Sequence, residues 1–263
     1  MTTDGLPAGE SQAYRGHTDP EGGRPALLAY ILPLVVFSVL TAIEPKPRAE
    51  DLPDADAHAP ASAAWYEIEY RHYPLVYSTK IALTVAAMAY AWPVYRRTWR
   101  RPGALAVLIG VLGVVAWVLL AMLQERLGST FEFGKRSAFN PLQRFDDQPG
   151  LAFAFLAVRL LGLVVVVPIA EEFFLRGFLV RYLVDQEWWR VPFGTINRAA
   201  LIAITVAPIL MHPNEALAAL VWFSAVTWLM VRTRNIWDCV AAHAITNLLL
   251  GAYVISTGNW WLM

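Results

Sequence analysis

The sequence is poor in cysteine, in charge and in histidine, and each scarcity narrows what the chain can be. Its single cysteine, Cys239, excludes an intramolecular disulfide and a cysteine-based zinc site. Lying beside an apolar run, it reads as a small packed hydrophobe. Charged residues make up 16% of the chain and hydrophobic residues 57%, against about 25% and about 45–50% in soluble globular domains. Both departures point to an integral membrane protein. Net charge is zero, so bulk electrostatics gives no reason to expect nucleic acid or an acidic surface as partner. No internal repeat is visible, and no stretch reads as a separate soluble domain. Nor does a short basic segment directly precede the first apolar run, which therefore reads as a retained membrane span rather than a secretory signal.

What the chain has in quantity is long apolar runs, with 11 Trp and 10 Tyr to mark membrane–water boundaries. Residues 1–24 are polar and rich in Gly, Pro and charge, and are expected to be disordered. A span needs about 20 apolar residues. On that measure spans are expected over Ala26–Ile43, Pro74–Tyr95, Ala104–Leu123, Leu151 to about Val184, Arg198–His212, Glu215–Val231 and Asp238–Ser256. Lys80 lies near the start of the second, where its long side chain can snorkel to the interface. The fold class expected is all-α, a polytopic transmembrane bundle of about seven spans. It divides into the disordered N-terminus (1–24), three N-terminal helices with their loops (25–150) and a core of the remaining spans (151–263). The fifth run is too short to cross fully and is expected to end within the membrane.

Arginines in short loops orient such a bundle. Arg96, Arg97, Arg100 and Arg101 place the loop between spans two and three in the cytoplasm. Arg181, Arg190, Arg198, Arg232 and Arg234 then fall on the same side. The acidic, Pro-rich connection Glu44–Tyr73 falls outside.

Within the last four spans the scarce polar residues recur: Glu171, Glu172 and Arg176, then His212, then His243 and Asn247. An ionisable residue at the middle of a membrane helix costs about 2.5–3.5 kcal/mol on insertion scales and is a functional candidate by default. Glu172 and Arg176 stand four apart and can pair along one helix face. Glu171 points about 100° away from Glu172. Arg176 is therefore expected to neutralise Glu172 and leave Glu171 as a general base. His243 and Asn247 also stand four apart and can together donate hydrogen bonds to a developing oxyanion. His212, just before Pro213, is placed to share a water with Glu171. Each feature alone has a plainer reading, as an ion pair, an interfacial histidine or interhelical glue. Their joint presence favours a site. Arg159 and Asp238 read as helix-end or packing charges.

Glu-Glu-x-x-x-Arg at 171–176, a histidine closing the next span at 212 and His-x-x-x-Asn at 243–247 resemble the CPBP family of intramembrane proteases, which includes the CAAX prenyl endopeptidases. The resemblance covers about residues 150–256. Chain length, His-Pro at 212–213 and Asn-Ile-Trp-Asp at 235–238 also resemble the exosortase-associated CAAX protease-related branch. The resemblance implies that Glu171 and His212 activate a water, that His243 and Asn247 form the oxyanion hole, and that Glu172 and Arg176 support the site. It implies a bacterial inner (cytoplasmic) membrane protein acting on a membrane-associated protein or peptide, lipidated or carrying a C-terminal sorting signal. No cofactor is favoured. A zinc-dependent variant would use Glu171, His212 and His243 as ligands, though the chain lacks a His-Glu-x-x-His pair. One departure stands out: Pro208 occupies a position where the family usually has Phe, and a proline there removes a donor and can kink the span. Two other classes remain, a non-proteolytic membrane partner or immunity protein and a small proton-linked transporter.

Overall fold

The computed structural model describes residues 24–45, 68–127 and 139–262. The segment expected to be disordered lies outside the described residues up to position 23, as do His17, His58, Lys135, Arg136 and most of the acidic connection. Every regular element among the described residues is helical. The principal ones are α1 (Arg24–Ala42), α2 (Tyr73–Tyr95), α3 (Ala104–Arg126), α4 (Pro149–Val184), α5 (Arg198–Met211), α6 (Ala216–Thr233) and α7 (Ile236–Thr257). Among the described residues five helices are long and apolar enough to cross a membrane: α2, α3, α4, α6 and α7, the second and sixth with their flanking turns. The described part of α1 and the whole of α5 are shorter apolar helices. The expected bundle of spans is thus present as five full-length helices and two short ones.

Local chemistry sets the helix boundaries. The Asn197 side chain accepts from the Ala200 N–H at 2.8 Å to start α5, and Asn235 accepts from the Trp237 N–H at 3.1 Å to start α7. The arginine-rich loop between α2 and α3 is tied to the start of α7. Asp238 accepts from the Gly103 N–H at 2.7 Å, and Trp237 Nε1 donates to Thr98 Oγ1 at 3.2 Å. Asp238 and Arg159, which donates to the Phe139 carbonyl at 2.9 Å, both act as packing charges. Cys239 is fully buried among apolar neighbours. Lys80 does not snorkel. It is 3% exposed, paired with Glu44 from the end of α1, bonded to Thr41 Oγ1 at 3.2 Å and set over the rings of Phe37 and Tyr77. A carboxylate and two aromatic faces within reach make burial cheaper than extension.

Two glycines on α3 decide how closely the core packs. A Cβ at Gly110 would stand 2.9 Å from the Ala242 carbonyl oxygen, and one at Gly113 would stand 2.5 Å from Trp222 Nε1 and 2.7 Å from Thr246 Oγ1. Small residues let membrane helices approach to backbone contact, and here the contact lets Thr246 Oγ1 donate to the Gly110 carbonyl at 2.9 Å while accepting from Trp222 Nε1 at 3.0 Å. Gly113→Ala is therefore expected to overpack this junction at a cost of about 1–3 kcal/mol. Equilibrium unfolding in detergent should show a lowered midpoint, and an unchanged one would mean that the Trp222 contact gives way freely.

The fourth helix is 36 residues long. Wound as a straight α-helix it would span about 54 Å, well beyond a hydrocarbon core of about 30 Å. It is not uniform: Gly162–Val166 and Phe173–Leu179 are wound as π-helix, on either side of the α-helical turn Val167–Glu172. That turn carries both glutamates.

Candidate active site

Glu172 is the node of the buried polar network. One of its carboxylate oxygens accepts from Arg176 Nη1 and the other lies 3.0 Å from His243 Nδ1. Glu172 and Arg176 are both fully buried. Arg176 Nη2 continues across to α6, donating to the Phe223 carbonyl at 3.1 Å and to Thr227 Oγ1 at 3.4 Å. The Glu172–Arg176 pair thus joins α4, α6 and α7. Paired with a guanidinium, Glu172 can only accept, so His243 Nδ1 carries the proton of their bond. Nε2 is then the nitrogen left for other work.

Aromatic rings fix the two histidines. His243 packs on Trp222 with ring centroids 4.6 Å apart and stands 6.2 Å from Phe223. His212 lies 5.8 Å from the same Phe223 and 5.4 Å from Trp117, edge to face at 89°. Phe223 is therefore flanked by both histidines and by Arg176, whose guanidinium carbon is 5.7 Å from its ring centre. Pro208 does not displace His212 from the bundle. The helix α5 runs on to Met211, and the His212 N–H caps it on the Pro208 and Ile209 carbonyls at 3.0 and 3.2 Å. Asn247, one turn beyond His243, donates from Nδ2 to the Leu163 carbonyl at 2.8 Å. Leu163 belongs to the first π-wound stretch, where displaced winding alters which carbonyls the helix can satisfy itself.

Glu171 is held differently. It is 4% exposed, and its Oε2 is buried with no hydrogen-bond partner among the described residues. It lies within electrostatic reach of His243, Glu172 and Arg176. A buried polar atom without a partner costs free energy and calls for a reason, and a ligand or water is one.

The structure thus brings Glu172, Arg176 and His243 into direct contact, joins His212 to them through Phe223, and sets Glu171 alongside. Asn247 is on the His243 face but already gives one of its two N–H groups to α4. Among the described residues no group of three or more His, Cys, Asp and Glu is gathered closely enough to hold a metal ion. Sequence reasoning missed the Trp117, Trp222 and Phe223 rings, which look like any apolar positions. It also missed Glu215, 1% exposed in the turn after His212. A carboxylate three residues from a membrane histidine, in a chain so poor in charge, was the available signal.

Residues 153–249 match the family described as Type II CAAX prenyl endopeptidase Rce1-like. The match is to the kind of protease that the motifs at 171–176, 212 and 243–247 resemble, and it spans α4 to α7 while leaving α1, α2 and α3 outside. No curated protein and no solved structure matches the chain.

Proposed function

We propose that this chain is an intramembrane endopeptidase that hydrolyses a peptide bond of a membrane-associated substrate by direct attack of water. The observation that carries the proposal is the pair of unlike carboxylates. Glu172 is committed to Arg176 and His243, while Glu171 keeps a buried oxygen with no partner among the described residues. Similarity to a CAAX prenyl endopeptidase family over α4–α7 supports it.

The chemistry follows from the assigned atoms. Glu171, with His212, orients a water and takes its proton as the water oxygen bonds to the substrate carbonyl carbon. The carbonyl oxygen becomes an oxyanion. The second N–H of Asn247 and the His243 imidazole, held in place by Glu172, stabilise it. The carbon–nitrogen bond then breaks, and the proton held on Glu171 passes to the departing amine. No acyl-enzyme forms and no step runs through a metal. The site operates in a bacterial inner (cytoplasmic) membrane with residues 96–101 on the cytoplasmic side, and the substrate is lipidated or bears a C-terminal sorting signal.

The test is a purified assay of the full chain in bilayer discs against C-terminal membrane peptides, with products identified by mass. Hydrolysis should place one oxygen from labelled water in the new carboxyl terminus, and added hydroxylamine should trap no acyl product. Folded protein that cleaves no such peptide would instead favour the second reading, a non-proteolytic membrane partner or immunity protein of the same fold. In the same assay, exhaustive chelation is expected to leave the rate unchanged. A rate lost to chelator and restored by zinc would contradict the metal-independent mechanism.

A further inference from the structure

We infer that α3 is part of the candidate active site and that Gln124 is the positioning residue that sets where His212 stands. The inference deepens the protease reading and rests on it for the role of His212, but its geometry stands apart. Between the end of α5 at Met211 and the start of α6 at Ala216 the chain makes a single tight turn, Pro213–Glu215. His212 opens that turn in a non-helical conformation, φ −126° and ψ 59°. Such a turn between two helices leaves backbone groups without helical partners.

Gln124 satisfies one on each side. Its Nε2 donates to the Asn214 carbonyl at 2.9 Å, and its Oε1 accepts from the Leu217 N–H at 3.1 Å. A primary amide is suited to this, offering a donor and an acceptor on one planar group. The turn's own bond, Glu215 N–H to the His212 carbonyl at 3.1 Å, ties His212 to the backbone so held. Trp117 lies two helical turns before Gln124 on nearly the same face of α3, and its ring stands perpendicular to the imidazole with centroids 5.4 Å apart. One side chain of α3 therefore fixes the backbone that carries His212, and another fixes its ring. The Trp117 indole N–H is itself buried without a partner among the described residues. Neither Gln124 nor Trp117 lies within the 153–249 segment that matches the family.

The experiment compares wild type, Gln124→Ala and Gln124→Glu as full chains in bilayer discs. Three readouts are taken: the rates of diethyl pyrocarbonate modification of His212 and His243 by peptide mass, the kcat and KM for peptide cleavage, and the thermal midpoint. Gln124→Ala is expected to change the His212 modification rate several-fold while that of His243 holds. It should also lower kcat about 10–100-fold with little change in KM, the signature of a misplaced reacting group. Gln124→Glu keeps the acceptor for Leu217 and loses the donor to Asn214, so it should fall between, and it decides the matter where the alanine variant fails to fold. Unchanged His212 reactivity together with unchanged kcat would overturn the inference. A changed His212 rate in a wild-type background that cleaves nothing would uphold the positioning and overturn the protease reading.

Discussion

Glu171→Gln is expected to abolish peptide hydrolysis while leaving the protein at least as stable as the wild type. A positioned general base is worth about 10²–10⁴-fold in rate, and an amide of the same size cannot take a proton from water. The stability half follows from the carboxylate's surroundings. Glu171 is 4% exposed, and its Oε2 has no partner among the described residues. Burying a carboxylate with one oxygen unpartnered is more costly than burying a neutral amide, so the substitution removes a penalty. Lost activity with an equal or raised thermal midpoint is the mark of a residue kept for chemistry. Retained cleavage, or a fall in midpoint that accounts for the lost rate, would count against the assignment.

Arg176→Ala is expected to do the opposite and unfold the core. It strands the Glu172 carboxylate, fully buried, and takes the donor from the Phe223 carbonyl and Thr227 Oγ1. Breaking one side of a buried pair costs about 3–5 kcal/mol. Arg176→Lys should recover only part of this, because an ammonium cannot reach Glu172 and α6 with the spread of a guanidinium. The double variant Glu172→Gln with Arg176→Met should be less destabilised than Arg176→Ala alone, since it leaves no stranded charge. Denaturant titration of all three in detergent measures this. Similar midpoints for wild type and Arg176→Ala would show that the pair carries little of the fold.

Helix period alone paired Glu172 with Arg176 and turned Glu171 away, and both features are present in the folded chain. Those inferences were available because residues four apart on one helix meet whatever surrounds them. The third partner of Glu172 was not, because His243 lies 71 residues further on and only the packing of α7 against α4 brings it within 3.0 Å. The winding of α4 was equally hidden: Gly-Leu-Val-Val-Val suits an α-helix as well as the π-helix it adopts, and that winding positions the carbonyl Asn247 engages. The short fifth span could be read directly from its length, and α5 does end after 14 residues with His212 at its cap. Lys80 was misread because its partner, Glu44, belongs to a different helix end. The contribution of α3 was invisible for a like reason. Gln124 looks like the polar close of an apolar span, and only the folded chain shows both ends of its amide on the His212 turn.

The division of labour between the adjacent glutamates is tested most directly by measuring Glu171→Gln and Glu172→Gln side by side in one bilayer preparation, scoring peptide hydrolysis and thermal midpoint for each. Glu171→Gln should lose hydrolysis and keep its midpoint, whereas Glu172→Gln should lose midpoint and activity together. Hydrolysis that persists in Glu171→Gln, or a midpoint untouched in Glu172→Gln, would contradict the assignment of one carboxylate to chemistry and the other to the fold.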